Sequence, residues 1–197
     1  RKPKLILKMA GLYSSYLFSR QTRLRILDIA ITTKCPYHCP HCYPEAFYHD
    51  GLKLLTAEEI ADLAEQAAAM GVVQFNFQGG EPTMEMDHLE NIVARVRPWE
   101  SYVTISTNGY RHTLKDITRL YQMGIDKMSI SLHSGVAEEH DAFVGAKDSY
   151  VRVMEAVTNA RKVGMEVAFS IVISRPNARS ESIQKVFDLA VKLNAIL

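Results

Sequence analysis

Three cysteines within eight residues are the most reactive feature of the sequence. Cys35, Cys39 and Cys42 have a C-x3-C-x2-C spacing, in a segment that also contains three prolines. A disulfide between any two of them would close only a tiny loop and leave one thiol over. Thiolates are soft ligands that suit zinc or iron–sulfur clusters. The spacing therefore predicts a metal site in a reducing compartment.

The number of thiols, three and not four, favours a reactive metal site over a closed structural one. A closed structural site uses four protein ligands, whereas a reactive site keeps one position open. Three cysteines can hold a cubane cluster in which one iron stays available to an exogenous ligand. Two alternatives remain, namely a zinc knuckle completed by His38, His41 or His49, and buried thiols without any ligand.

Other residues able to contact a ligand come directly after predicted strands. Gly79 and Gly80 would let a ligand approach the backbone closely, and Glu81 offers a carboxylate to an ammonium group. Residues 138–140, two glutamates and a histidine, fit the exposed start of a helix better than a ligand site. The later strands contribute further candidates: Ser106, Asn108, Ser131, His133, Ser170 and Ile171.

Alternating strands and helices would bring these residues together. Hydrophobic patterning predicts strands at residues 24–32 (mostly buried), 72–78, 102–106, 127–132 and 166–173. It predicts helices at residues 56–70, 86–97, 113–123, 149–163 and 180–193. Thr56 and Glu59 have the spacing of a capping box. Such alternation implies a parallel sheet, either doubly wound or a full or partial TIM-like barrel, with chemistry at the carboxyl ends of the strands.

Composition limits the class of protein and of partner. The chain of 197 residues is 47% apolar and 23% charged, as expected of a globular protein. A formal net charge of +1 argues against nucleic-acid binding driven by bulk charge. Residues 5–18 are too few and too polar to span a bilayer. We expect residues 1–23 to be a helical extension that docks on a core of residues 24–197, with contact to a membrane surface as the alternative.

The cysteine loop and the Gly-Gly-Glu-Pro segment together resemble the radical S-adenosylmethionine (SAM) superfamily. The resemblance implies a 4Fe–4S cluster on the three cysteines, with SAM chelating the fourth iron. It also implies SAM contacts from residues at several strand ends: Gly79, Gly80, Glu81, Ser106, Asn108, Ser131, Ser170 and Ile171. Two residues depart from the family pattern, because His133 stands where peptide-modifying members commonly have Asp and Val144 where Arg is frequent.

The same resemblance implies a fold and an activity. The fold is a partial TIM-like (β/α)6 barrel with five βα units visible and the sixth strand truncated, beginning at residues 194–197. The core is therefore expected to be incomplete at its C-terminal end. The activity is reductive cleavage of SAM to a 5′-deoxyadenosyl radical that abstracts hydrogen from an unidentified substrate, and no side chain is assigned as a general acid or base.

Partners and location follow from this resemblance as well. We expect a flavodoxin- or ferredoxin-like one-electron donor and a cytoplasmic location. A turn at Asn177 resembles one in members with C-terminal cluster-binding extensions and favours peptide modification. The rival hypotheses are a zinc-stabilised binding module and a family member that binds the cluster without turnover.

Overall fold

A parallel sheet of five strands in sequential order forms the centre of the protein. The structure is a computed structural model that describes residues 2–19, 24–42, 55–174, 177–178 and 181–197. The strands are β1 (Ile26–Thr32), β2 (Gln74–Gly79), β3 (Tyr102–Thr107), β4 (Lys127–Ser131) and β5 (Glu166–Ser170). The helices are α1 (Pro3–Ser19), α2 (Ala57–Ala69), α3 (Met86–Arg95), α4 (Leu114–Met123), α5 (Ala137–Val144), α6 (Ser149–Val163) and α7 (Glu181–Leu193), and a 3-10 turn spans Pro82–Glu85.

The strand order distinguishes between the two architectures that the pattern allows. A doubly wound sheet reverses its strand order at a switch point, whereas these five strands follow one another without reversal, as in a barrel. After α7, Ile196 pairs in parallel with Ala168 of β5. Its backbone N–H donates to Val167 at 2.9 Å and its carbonyl accepts from Phe169 at 2.8 Å. The segment predicted to begin a sixth strand thus lies beside β5.

The two faces of the sheet differ in polarity. Large side chains such as Phe75, Phe77 and Ile130 are fully buried in the main core, which the helices cover. In β2 these positions alternate with half-buried polar ones such as Asn76, so the inner face of the barrel is polar. The prediction that the first strand is mostly buried was wrong. Only Ile29 of β1 is buried, since β1 pairs with β2 alone within the described chain.

Local capping sets the ends of the helices. The Thr56 hydroxyl accepts the Glu59 N–H at 3.2 Å, and the Glu59 carboxylate accepts the Thr56 N–H at 2.8 Å, which completes the predicted capping box. Gly124 and Gly164 end α4 and α6 in the left-handed region, with φ of 111° and 78°. Helix α5 lies between β4 and α6, where the sequence indicated only an exposed helix start at residues 138–140.

The N-terminal helix docks on the barrel, as expected from its sequence. Leu5 and Leu12 of α1 pack against Val73 and Tyr102, beside the amino ends of β2 and β3. Lys2 forms an ion pair with Asp126. The opposite face of α1 exposes several apolar side chains. None of the described helices is long and apolar enough to cross a membrane.

Candidate active site

The cysteine loop follows β1 and is tethered from distant parts of the chain. Cys35, Cys39 and Cys42 form no disulfide with one another, and all three are half-buried. The Cys42 N–H donates to the Cys39 carbonyl at 2.9 Å, which closes a turn between the two cysteines. Tyr37 is buried, and its hydroxyl accepts a hydrogen bond from the Arg152 guanidinium on α6 at 3.2 Å. The fold therefore positions the loop.

Helix α5 braces the loop on one side. The Cys39 thiol lies 3.4 Å from the carbonyl oxygen of Val144, the last residue of α5. The rings of His41 and Phe143 are 4.5 Å apart. Gly145 has φ of 67°, and a Cβ there would lie 3.1 Å from the His38 carbonyl oxygen. The cysteines thus rest on a helix of which the sequence indicated only the start.

Two glycines at the end of β2 brace the loop on the other side. A Cβ at Gly79 would lie 2.3 Å from the Thr32 carbonyl oxygen, and one at Gly80 would lie 2.3 Å from that of Lys34. The Gly80 N–H donates to Thr32 at 2.8 Å. The backbone that approaches these glycines this closely is the chain's own segment after β1, which fills the space that a side chain would need. Both glycines also border a cavity at the carboxyl ends of the strands.

Glu81 does not face the cavity, contrary to expectation. It is 0% exposed, and it does not line the cavity. Its carboxylate accepts hydrogen bonds from the Thr83 N–H at 3.0 Å, the Thr107 hydroxyl at 2.8 Å and the Asn108 N–H at 2.7 Å. Burial raises the pKa of Glu81, while these hydrogen bonds oppose that rise. The carboxylate therefore joins the end of β3 to the turn after β2.

Asn108 connects this network to the cysteines. Its side-chain amide nitrogen lies 3.4 Å from the Cys35 sulfur. Its amide oxygen accepts the Tyr110 N–H at 2.9 Å, an Asx turn after β3. Burial raises the pKa of the Cys35 thiol, and the hydrogen bond from Asn108 opposes that rise.

A cavity of about 230 Å³ opens at the carboxyl ends of the strands. The three cysteines line it together with six of the eight residues predicted to bind SAM: Gly79, Gly80, Ser106, Asn108, Ser131 and Ser170. Glu81 and Ile171 do not line it, and Ile171 packs against the main core instead. His133, a candidate from the sequence that was not assigned to SAM, also lines the cavity. The remaining lining residues were not predicted as contacts: His41, Gln78, Thr107, Val144 and Val172. Most of these residues stand at or just after the end of a strand or helix, and that position is the feature of the sequence that could have identified them.

Two buried histidines lie next to each other near the cavity: His133 lines it, and His140 lies on α5. His133 Nδ1 accepts the Val172 N–H at 3.1 Å, and the His133 N–H donates to His140 Nδ1 at 3.2 Å. Burial lowers the pKa of His133 to about 3 and that of His140 to about 4, so both rings are neutral near pH 7. The expectation of an exposed histidine at residues 138–140 was wrong, since His140 is 1% exposed.

The donor set fits an iron–sulfur cluster. A zinc ion needs all its ligand atoms about 2 Å from one point, whereas each cysteine of a four-iron cluster binds a different iron. The three thiols border one cavity. Among the described residues, no three His, Cys, Asp or Glu side chains are grouped so that they could hold a single metal ion. His49, one proposed zinc ligand, lies outside the described residues.

Comparison with known proteins shows the family. Residues 29–190 match the model of the radical SAM superfamily. The chain belongs to the radical SAM superfamily. Members of this superfamily are enzymes that use a 4Fe–4S cluster and SAM. The resemblance inferred from the cysteine spacing and the Gly-Gly-Glu-Pro segment is thus confirmed.

Two relatives illustrate the range of radical SAM proteins whose sequences are similar to this chain. A probable GTP 3′,8-cyclase of Pyrobaculum aerophilum is 30% identical over 184 residues, which are 92% of this chain and 59% of that protein. A PqqA peptide cyclase of Streptomyces rochei is 32% identical over 167 residues, 85% of this chain and 45% of that protein. The chain therefore spans about half the length of these relatives.

The structural match confirms the partial barrel. Streptococcus suis SuiB, in its crystal structure bound to the precursor peptide SuiA, matches with a TM-score of 0.73 at 17% identity. The match covers 95% of this chain and 40% of SuiB. The expected (β/α)6-type fold, with five parallel strands described here, is thus confirmed.

Proposed function

We propose that this chain is the core of a radical SAM enzyme, in which Cys35, Cys39 and Cys42 hold a 4Fe–4S cluster. The observation that carries the proposal is that the three thiols and the strand-end residues of β2 to β5 border one cavity. When bound, the cluster and SAM supply one-electron reductive cleavage of SAM and hydrogen abstraction from a substrate. The two other expected SAM contacts, Glu81 and Ile171, do not line the cavity. Glu81 holds the turn that carries Asn108, and Ile171 packs against the main core.

The residues of the chain position these groups. Gly79 and Gly80 present backbone groups beside the cysteines, while Ser106, Ser131 and Ser170 present hydroxyls from three successive strands. A hydroxyl can both donate and accept, so such a row suits a ligand rich in polar atoms, as SAM is. His133 and Val172 form an uncharged part of the cavity wall, because the lowered pKa of His133 keeps its ring neutral near pH 7.

A cluster test separates this proposal from the zinc-stabilised module. Protein reconstituted with iron and sulfide without oxygen should be brown and, when reduced, should show an EPR signal that SAM perturbs. Cys39→Ala should abolish SAM cleavage. A colourless protein that retains one zinc ion per chain would refute the proposal. An intact, SAM-responsive cluster without 5′-deoxyadenosine formation would instead indicate a member that binds the cluster without turnover.

For the substrate class, we propose peptide modification. The 32% identity to a PqqA peptide cyclase supports this class, and 30% identity to a probable GTP 3′,8-cyclase supports a nucleotide as the second candidate. Incubation of the full-length protein with SAM, dithionite and either GTP or peptides encoded beside its gene should consume only the peptide. Conversion of GTP would reverse the assignment.

The electron donor and the location complete the proposal. A flavodoxin- or ferredoxin-like protein would supply single electrons, and three cysteines without a disulfide between them suit the reducing cytoplasm. Reduction of the cluster by purified flavodoxin, followed by EPR, tests the donor. A cluster that accepts electrons from dithionite but not from flavodoxin or ferredoxin would exclude both.

A further inference from the structure

The side chain of Asn108 is held in one orientation beside a cysteine of the site. Its amide oxygen accepts the Tyr110 backbone N–H at 2.9 Å. A backbone N–H can only donate, so that contact assigns the oxygen and leaves the amide nitrogen on the other side. The nitrogen lies 3.4 Å from the Cys35 sulfur. The group that faces this sulfur is therefore a hydrogen-bond donor.

A buried carboxylate fixes the turn that carries this donor. The Glu81 carboxylate accepts the Asn108 backbone N–H at 2.7 Å through one oxygen and the Thr107 hydroxyl at 2.8 Å through the other. The Thr107 hydroxyl in turn accepts the Gly109 N–H at 3.1 Å. Three consecutive residues at the end of β3 are thus tied to one fully buried side chain. Movement of the backbone at Asn108 away from Cys35 would break these bonds, while the Tyr110 N–H holds the side-chain amide on that backbone.

A hydrogen bond to a cysteine sulfur changes the balance between the two redox states of a cluster. Reduction adds one electron and makes the thiolate ligands more negative, so a donor pointing at a sulfur stabilises the reduced state more than the oxidised state. Hydrogen bonds to the sulfurs are among the factors that set the potentials of iron–sulfur clusters.

We propose that the side-chain amide of Asn108 raises the reduction potential of a cluster bound to Cys35, and that Glu81 is the positioning residue that holds it there. This inference rests on the proposed function, because it requires the cluster. In the redox step the cluster gains one electron from a one-electron donor, which is dithionite in the test, and no proton is transferred.

Two substitutions remove the donor in different ways. Asn108→Asp keeps an oxygen that accepts the Tyr110 N–H but places a carboxylate oxygen against the sulfur. Asn108→Leu has nearly the same shape and removes both polar atoms. The matched control is Asn91→Asp, which makes the same chemical change at an exposed position on α3.

The measurement is an EPR-monitored redox titration of the reconstituted proteins at pH 8. Both Asn108 variants should bind the same amount of iron as the wild type but have a more negative midpoint potential. For Asn108→Asp we expect at least a tenfold loss in the equilibrium constant for reduction, which is 59 mV for a one-electron couple. Asn91→Asp should keep the wild-type potential.

The outcomes separate this inference from the proposed function. A wild type that assembles no cluster refutes the proposed function. A cluster that assembles normally in Asn108→Asp with the wild-type potential refutes only the role of Asn108. If Asn108→Leu misfolds, as shown by circular dichroism, the Asp variant still decides. For Glu81, the substitution Glu81→Gln also removes a negative charge that acts on Cys35 in either background, so positioning is measured as a difference between backgrounds. The change in midpoint potential on Glu81→Gln should be more negative when Asn108 is present than in the Asn108→Leu background; equal changes in both would refute positioning.

Discussion

Acidification should destabilise the protein through a buried histidine on α5. His140 is 1% exposed, its Nδ1 accepts the His133 N–H at 3.2 Å, and its Nε2 lies 3.2 Å from the Ser149 hydroxyl. Burial lowers its pKa from the usual 6.5 to about 4. The folded protein therefore resists protonation of this ring under mildly acidic conditions.

The magnitude follows from the difference in pKa between the folded and unfolded states. The unfolded chain takes up a proton at His140 as the pH falls below about 6.5, while the folded chain does so only near the lowered pKa of about 4. The stability contributed by the neutral ring is complete above pH 6.5 and is lost as the pH falls towards 4. At pH 5 the loss from His140 alone is about 2 kcal/mol relative to pH 7.5.

The assay is urea unfolding of the metal-free protein, followed by far-UV circular dichroism at pH 7.5 and pH 5. In His140→Gln the loss of unfolding free energy between these pH values should be about 2 kcal/mol smaller than in the wild type. His88→Gln makes the same replacement at a side chain that is 59% exposed, and it is the matched control. If both variants lose as much stability as the wild type, burial of His140 is not the cause.

Three further substitutions test buried contacts, two of them beside the cavity and one at the opposite, amino end of the strands. Glu81→Ala should lower the unfolding free energy by about 2–6 kcal/mol in urea, because two buried backbone N–H groups lose their acceptor at about 1–3 kcal/mol each. Gly80→Ala should reduce the iron content after reconstitution, because its Cβ would lie 2.3 Å from the Lys34 carbonyl oxygen and displace the cysteine loop. Asp126→Ala should lower stability in thermal unfolding by about 1–3 kcal/mol, because the Val103 N–H loses its 2.8 Å contact.

Each of these variants has a control at a more exposed position. Glu85→Ala removes a carboxylate that pairs with an exposed lysine, so it should cost at most about 1 kcal/mol. Gly11→Ala meets no atom within 4 Å and should leave the iron content unchanged. Asp62→Ala affects a side chain that is 63% exposed and should cost at most about 1 kcal/mol. A variant that behaves like its control would contradict the contact assigned to it.

Helix ends and the strand order were readable from the sequence because they depend on local chemistry. Thr56 and Glu59 make the bonds that their spacing predicts, and Gly124 and Gly164 take up the left-handed conformation in which glycine avoids strain. Similar βα units following one another made the parallel sheet predictable. These features need no knowledge of distant contacts.

The extent of helix α5 and its buried face could not be predicted from the sequence, for equally physical reasons. It has eight residues, and no side chain caps its N-terminus. Its buried surface includes His140, which a hydropathy pattern counts as polar. This histidine is buried because it packs against His133, Ser149 and Tyr150, which lie on the elements before and after α5.

For the candidate site, the sequence predicted which residues gather but not which way they face. Strand ends meet at one edge of the barrel, and this rule places Ser106, Ser131 and Ser170 on the cavity. Glu81 follows the same rule, yet its carboxylate turns inward because the hydroxyl and amide donors of the next strand end lie there. Such orientation depends on tertiary partners that spacing does not reveal.

The long-range tethers of the cysteine loop also affect how the protein is made. Cys39 meets the carbonyl of Val144, 105 residues later, and Tyr37 meets Arg152, 115 residues later. At a synthesis rate of about 5–20 residues per second, the thiols leave the ribosome roughly 5–20 seconds before the segments that brace them. During that interval the cysteines are open to oxidation and to adventitious metals. Cluster delivery after release from the ribosome would therefore meet a loop already shaped to receive it.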